Sequence, residues 1–98
     1  MHVLRRNLLK KIKENALKEI EIIFIKKDGT LREMKCMYGV KKENSKGMNY
    51  NAEEKGLISV FDLEKQEYRV VPIATTRAIS LEGKTYEVKD KVLIKRRL

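Results

Sequence analysis

Residues 20–38 read IEIIFIKKDGTLREMKCMY, and this stretch decides the fold. On both sides of its central turn, apolar side chains recur at every second position, which is the period of half-buried β-strands. These positions are Ile20, Ile22, Phe24, Met34, Cys36 and Tyr38. The turn itself, Lys27-Asp28-Gly29-Thr30, is typical of a tight β-hairpin. The stretch therefore predicts two antiparallel strands whose even-numbered side chains face a core.

The length of the hairpin loop sets the register of the two strands. A two-residue loop would place Glu21 opposite Cys36, which sets a charged side chain against an apolar one. A three-residue loop over 27–29, with Gly29 left-handed at a bulge, instead places Ile20 opposite Cys36. We predict the three-residue loop because it pairs apolar positions with apolar positions.

The N-terminal segment, residues 1–17, predicts an amphipathic helix that runs from near residue 3 to near residue 15. Its apolar side chains fall within an arc of about 140° when successive residues are turned by 100°. The apolar set is Leu4, Leu8, Leu9, Ile12 and Ala16. Asn15 is a plausible C-terminal cap, since asparagine tolerates the left-handed conformation. We expect the residue at position 2, His2, to have no fixed structure.

The remainder of the chain predicts further short strands separated by turn residues. Strand patterns cover 57–61, 68–71, 77–81 and 85–88, and 92–94 could add another. Pro72 cannot donate a hydrogen bond to a ladder, so its strand lies at an edge or bends at a bulge. We divide the single domain 1–98 into the helix, a barrel over 18–90 with a polar loop at 41–56, and a basic tail over 91–98.

The net charge of +9 belongs entirely to the two ends of the chain. Residues 1–18 contribute +5 and residues 84–98 contribute +4, whereas residues 19–83 hold equal numbers of acidic and basic side chains. A balanced core with basic ends suggests that the ends meet an acidic partner, most often a nucleic acid.

Several classes of function have no support in the sequence. One cysteine and one histidine cannot supply a protein zinc site, so we expect no metal and no cofactor. No activated nucleophile, tuned acid and base pair or glycine-rich phosphate loop is visible, which argues against an enzyme. The longest apolar run, Ile22 to Ile25, is too short for a membrane span, and no secretion signal is recognisable. We therefore expect a cytoplasmic protein without membrane contact.

Two motifs carry a family resemblance: KDGTLREMKC at 27–36 and VFDLEK at 60–65. Over roughly residues 12 to 81, the chain resembles a family of small, WYL-related phage proteins with an Sm-like SH3 β-barrel. The resemblance implies a phage origin and a helix followed by strongly bent strands. The chain differs from that family at Tyr68, where a tryptophan is common. The expected fold class is mainly β: a small SH3/Sm-like barrel of five or six short antiparallel strands with one N-terminal α-helix.

The candidate nucleic-acid contacts are basic and aromatic side chains. Electrostatic capture is expected from Arg5, Arg6, Lys10, Lys95, Arg96 and Arg97, and base stacking from Tyr38, Tyr50 and Tyr68. Arg32 and Arg69 occupy strand positions that match the family pattern, from which a cation could reach a ligand. Alternatively, these two arginines pair across strands with carboxylates such as Glu19, Glu67 or Asp62. Asp62 itself, like Asp28, is predicted to stabilise a turn.

These observations predict a non-enzymatic phage binding module that contacts RNA or DNA through its basic termini and the aromatic side chains of the barrel surface. A second hypothesis is a protein-interaction module, which inhibits or redirects a host factor or assembles as a homo-oligomer by strand addition at a barrel edge. A third is the binding of a small anionic nucleotide in the barrel mouth.

Overall fold

The computed structural model describes residues 1–40 and 53–90. These residues are mainly β, with seven strands in one sheet and one N-terminal helix, which confirms the predicted fold class. The elements are β1 (His2–Leu4), α1 (Arg5–Glu14), β2 (Ile20–Ile25), β3 (Leu31–Met37), a 3-10 turn (Glu53–Lys55), β4 (Leu57–Asp62), β5 (Glu67–Pro72), β6 (Thr76–Leu81) and β7 (Lys84–Lys89). The strand order is β1-β7-β6-β2-β3-β4-β5.

The hairpin of β2 and β3 has the predicted register and the predicted three-residue loop. Its pairs include Ile20 with Cys36, Ile22 with Met34 and Phe24 with Arg32. Gly29 adopts φ +88°, a left-handed conformation that favours glycine, and the backbone N–H of Lys26 donates to Thr30 O at 2.8 Å. The loop is held by Asp28, whose Oδ1 accepts a hydrogen bond from the Thr30 N–H at 3.0 Å.

The helix packs on the barrel through Leu8 and Ile12, which are fully buried. The predicted start near residue 3 is wrong, because residues 2–4 form β1 and pair in parallel with β7. His2, expected to lack structure, belongs to that strand. Three residues are too few to show a strand period, and their partner lies at the other end of the chain, so no local pattern could indicate this pairing.

The helix ends at Glu14, and the capping differs in detail from the prediction. The Asn15 side chain donates through Nδ2 to Lys11 O at 2.8 Å. Asn15 itself has φ −112°, whereas the left-handed residue is Leu17, at φ +65°. The Leu17 N–H donates to Tyr38 O at 2.8 Å, which fixes the connection between the helix and β2.

The strand β5 lies at one end of the strand order and pairs with β4, which confirms the edge position inferred from Pro72. By contrast, β3 and β4 are paired at only two positions, Cys36 with Asp62 and Met37 with Phe61. The β2–β3 and β4–β5 hairpins therefore diverge from this short junction and leave a cleft between them.

The predicted polar loop 41–56 ends in the 3-10 turn at Glu53–Lys55, and its residues 41–52 lie outside the described part. The predicted strand at 92–94 and the basic tail 91–98 also lie outside it. The buried apolar core is formed by α1 and all seven strands. None of the described helices has the length and apolar composition that a membrane span requires.

Candidate functional site

The described candidate contact residues fall into two groups, with Tyr38 apart from both. One group lies on α1 and includes Arg5, Arg6 and Lys10. The other lies between the two diverging hairpins and includes Arg32, Tyr68 and Arg69. Tyr50, Lys95, Arg96 and Arg97 lie outside the described residues.

The outer face of α1 carries a stripe of three cations, Arg6, Lys10 and Lys13, which we call the helix stripe. Spacings of four and three residues bring their side chains to one face of a helix, and all three are exposed. Arg6 and Lys10 form no ion pair with a described residue, whereas Lys13 Nζ lies 3.0 Å from Glu53 Oε1. The stripe is therefore an open basic surface at its N-terminal end.

Arg5 has a different environment from its neighbour Arg6. Its Nη1 donates to the backbone carbonyl of Ile73 and to that of Thr76, the latter at 3.0 Å. Its Nε donates to Asp90 Oδ1 at 2.6 Å. Because Asp90 directly follows β7, Arg5 ties the last described residue of the chain to the start of the helix. The arginine is thus engaged with the protein itself.

Tyr38, a predicted stacking residue, packs against the core and donates its hydroxyl to Glu53 Oε1 at 3.1 Å. Burial, more than this hydrogen bond, raises the pKa of Tyr38. The hydrogen bond between Lys13 and Glu53 lowers the pKa of Glu53 and raises the pKa of Lys13. These contacts connect the end of β3 and the 3-10 turn to the helix stripe.

The second group is built around Asp62, which is 1% exposed. Its Oδ1 accepts hydrogen bonds from the backbone N–H groups of Glu64, at 2.9 Å, and Lys65, at 3.1 Å, as expected for a turn residue. Its Oδ2 lies 3.3 Å from Arg69 Nε and 3.7 Å from Arg32 Nη2. One buried carboxylate thus lies between two arginines from different hairpins.

The two arginines pair with carboxylates, as the alternative interpretation predicted. Arg69 donates from Nη2 to Glu67 Oε1 at 2.8 Å, in addition to its contact with Asp62. Arg32 forms only the long ion pair with Asp62 and donates no hydrogen bond to a described residue. Both side chains remain about one third exposed, at 29% for Arg32 and 36% for Arg69.

These arginines line a cleft of about 420 Å³, which we call the hairpin cleft. Its lining residues are Phe24, Lys26, Arg32, Met34, Ser59, Tyr68, Arg69 and Val70. Tyr68 is 39% exposed, and its ring packs edge-on against Phe61, with ring centroids 5.2 Å apart. Its hydroxyl donates to Val40 O at 2.6 Å, so the ring orientation is fixed.

Cys36 is buried in the strand that faces Asp62, and it occupies the predicted core position. Burial, with a smaller contribution from the Asp62 charge, raises the pKa of its thiol to about 12. The thiol is therefore protonated at neutral pH and a poor nucleophile. Within residues 1–40 and 53–90, no group of three or more His, Cys, Asp or Glu side chains is arranged to hold a metal ion.

Sequence reasoning identified Asp62 as a turn residue and named it among three carboxylates that could pair with Arg32 and Arg69, but it did not identify Asp62 as the partner that both arginines share. A usable signal was present, because Asp62 continues the buried alternation of Ile58 and Val60 on β4. A carboxylate at a core-facing position requires a cationic partner. A second missed contact is Lys11, whose Nζ lies 4.2 Å from the centroid of the Tyr86 ring.

Comparison with known families gives one match. The family described as WYL_2, Sm-like SH3 beta-barrel fold, matches residues 6–75, which extend from α1 through β5 and leave out β1, β6 and β7. The search of curated proteins and the search of solved structures give no match. The Sm-like SH3 barrel is typically a non-catalytic binding fold, compatible with a small binding module. With seven tenths of its residues inside the match, the chain belongs to the WYL_2 family of Sm-like SH3 β-barrel proteins.

Proposed function

We propose that the protein is a non-enzymatic, phage-encoded module that acts in the cytoplasm of the infected cell and binds nucleic acid through a basic surface. This surface combines the helix stripe with the basic residues of the C-terminal segment, Lys95, Arg96 and Arg97. The phage origin rests on the sequence resemblance, and gene neighbours from replication, transcription or anti-defence functions would support it.

The observation that carries the proposal is the meeting of the two ends of the chain. The parallel pairing of β1 with β7 sets Leu4 opposite Lys89, and the next residues, Arg5 and Asp90, form an ion pair at 2.6 Å. The C-terminal segment therefore leaves the described part beside the first turn of α1. The basic C-terminal segment thus begins beside the basic helix, although the two are far apart in the sequence.

The mechanism follows from the charge and exposure of these side chains. Exposed lysine and arginine side chains neutralise phosphates and release condensed counterions, so the affinity falls steeply as the salt concentration rises. Arg6 and Lys10 are suited to this role because they form no ion pair with a described carboxylate. Arg5 acts instead as a positioning residue that holds the C-terminal end of β7 beside the helix.

A salt titration tests the proposal. Fluorescence anisotropy with labelled single-stranded RNA, single-stranded DNA and duplex DNA should give an affinity that falls linearly with salt on logarithmic axes. Replacing Arg6 and Lys10 with Gln should lower the slope by about 1 for each cation removed. Replacing Lys95, Arg96 and Arg97 with Gln should lower the slope by the same amount for each cation removed.

The matched control removes two exposed lysines outside the proposed surface, Lys27→Gln and Lys35→Gln, with the same change in net charge. The control should keep a slope close to that of the unmodified protein. If the salt slope fell equally in the control and in the Arg6 and Lys10 variant, the binding surface would not be localised as proposed. No binding to any of the three nucleic acids at low salt would contradict the proposal altogether.

The sheet edge at β5 favours a second candidate function, assembly with another copy or with a host protein by strand addition. Tyr68 and Val70 on this strand are exposed large hydrophobic side chains, at 39% and 42%. An edge strand presents backbone groups that another strand can pair with. Sedimentation equilibrium should then show a dimer or larger assembly that Val70→Lys disrupts, because a charge at the edge opposes pairing. A monomer over the whole concentration range, with no discrete host partner captured, would exclude this function.

A further inference from the structure

The hairpin cleft combines apolar walls with cations in a way that the helix stripe does not. Its walls are formed by Phe24, Met34 and Val70, together with the ring of Tyr68. None of its described lining residues carries a carboxylate, whereas Lys26, Arg32 and Arg69 contribute three cations. A concave, mostly apolar site with a few converging polar groups is the usual form of a small-molecule site, and 420 Å³ lies within the usual size range.

The polar atoms at one end of the cleft are incompletely satisfied. Asp62 Oδ2 and Arg69 Nε are buried and form no hydrogen bond with a described residue, although they lie 3.3 Å apart. Arg32 donates no hydrogen bond to a described residue either, and its distance of 3.7 Å to Asp62 is too long for one. Arg32, which is 29% exposed and lines the cleft, therefore keeps N–H donors for a group that enters it.

The chemistry of that group follows from the donors. A guanidinium presents planar N–H groups that match a carboxylate or a phosphate in a two-pronged contact. Asp62 lies close to Arg32 and Arg69 but hydrogen-bonds to neither, and Arg69 donates only from Nη2 to Glu67, so both arginines keep donors for a ligand oxyanion. Lys26, also in the lining, adds a positive charge at the rim.

The apolar part of the site extends past the cleft. An adjoining groove shares Phe24, Lys26 and Val70 with it and continues to Thr75. The third buried polar side-chain atom without a hydrogen-bond partner among the described residues is Thr75 Oγ1. The cleft and the groove therefore share the apolar side chains of Phe24 and Val70, along which an elongated ligand can lie.

We propose that the hairpin cleft binds a small amphiphile that carries a carboxylate or a phosphate on an apolar body. The oxyanion binds Arg32 and Arg69, and the apolar body lies along Phe24 and Val70. This site is separate from the proposed nucleic-acid surface and does not depend on it, since the two share no residue.

The test uses the full chain and a fluorescent pair of probes. The anionic probe is 8-anilinonaphthalene-1-sulfonate, and its uncharged counterpart is N-phenyl-1-naphthylamine. The anionic probe should bind at one site and be displaced by octanoate, by octyl phosphate or by both, but not by 1-octanol. Displacement by only one of the two anions would support the proposal and identify the headgroup.

Arg32→Gln should weaken the binding of the anionic probe by about 10-fold or more and change that of the uncharged probe little, because a charge-assisted contact is lost. Arg77→Gln, at an exposed position outside the cleft lining, is the charge-matched control and should bind like the unmodified protein. Lys26 is exposed, so Lys26→Gln should not affect folding. This substitution is expected to weaken the binding of the anionic probe by about 3-fold.

Three outcomes would overturn the proposal. The first is equal affinity of the anionic probe for the Arg32→Gln, Lys26→Gln and Arg77→Gln proteins. The second is equal displacement by 1-octanol, which would show that the anionic group contributes nothing. The third is displacement by adenosine monophosphate or a single-stranded oligonucleotide but not by either octyl anion, which would assign Arg32 and Arg69 to nucleotide or nucleic-acid binding.

Discussion

The helix stripe and the hairpin cleft use the same kinds of residue in opposite ways. On the helix, Arg6 and Lys10 point into solvent without a described carboxylate, so their charge acts at long range and is screened by salt. In the cleft, Arg32 and Arg69 are held by one buried carboxylate against apolar walls. The same residue type has both roles in one protein. A basic residue can therefore be assigned to a binding surface only when its ion-pair partners are known.

Removing the buried carboxylate of Asp62, which lies beside the hairpin cleft, should cause the largest loss of stability. Asp62→Ala removes two backbone hydrogen bonds and leaves Arg32 and Arg69 without their shared partner. We expect a loss of about 3 kcal/mol in the free energy of unfolding, at the lower end for a broken buried pair because both arginines are partly exposed. Urea denaturation measures this loss.

The matched control is Asp28→Ala, which removes an exposed turn carboxylate from the other hairpin. This variant loses only exposed hydrogen bonds from Thr30, so we expect a loss of less than about 1 kcal/mol. If both substitutions had the same small effect, the ion pairs of Asp62 would contribute nothing and the contrast between cleft and surface would fail.

The adjacent residues Arg5 and Arg6 sharpen the comparison within one helix turn. Arg5→Gln loses hydrogen bonds to Asp90 and to two backbone carbonyls, so we expect a cost of about 1 to 2 kcal/mol. Arg6→Gln should change the free energy of unfolding by less than about 0.5 kcal/mol. Thermal and urea unfolding of both variants provide the measurement, and equal stabilities would contradict the assigned roles.

The smallest effect on stability is expected for the pair of Lys13 and Glu53. Lys13 is the one cation of the helix stripe that has a described acidic partner. The Lys13 hydrogen bond lowers the pKa of Glu53 in the folded chain, so the ionised carboxylate favours folding. That contribution is complete above the unfolded pKa, near 4.5, and is lost as the pH falls through the lower folded value.

Glu53→Gln should therefore flatten the decline of stability as the pH falls below about 4.5. The control is Glu54→Gln, an exposed neighbour, which should retain the decline of the unmodified protein. Urea midpoints measured from pH 6 to pH 3 make the comparison. Identical profiles for the two variants would show that the Lys13 and Glu53 pair does not affect folding.

The β2–β3 hairpin was predictable down to its register because its signals are local. A glycine in the turn and two-residue alternation on both sides of it leave one register that buries the apolar side chains. The same holds for the apolar face of α1, where Leu8 and Ile12 follow the helical period. Both elements can therefore be predicted from residues that are close together in the sequence.

The candidate site was less predictable because its contacts join distant parts of the chain. Asp62 was named only as one of three carboxylates that could pair with Arg32 and Arg69, and no local pattern identified it as the partner of both. The contact of Arg32 with Asp62 depends on the pairing of β3 with β4, which joins the two hairpins. Likewise, β1 was hidden in a helical pattern, because a strand of three residues has no period of its own.

By itself, the sequence determined the hairpins, the buried face of the helix, the absence of a net charge over residues 19–83 and the basic character of both ends. These properties depend on neighbouring residues and on composition. The tertiary structure decided which charges meet. Arg5 and Asp90 are 85 positions apart in the chain, and only the pairing of β1 with β7 brings them to 2.6 Å. Strand pairing over such distances depends on the folding of the whole sheet, so it is settled only when the core has formed.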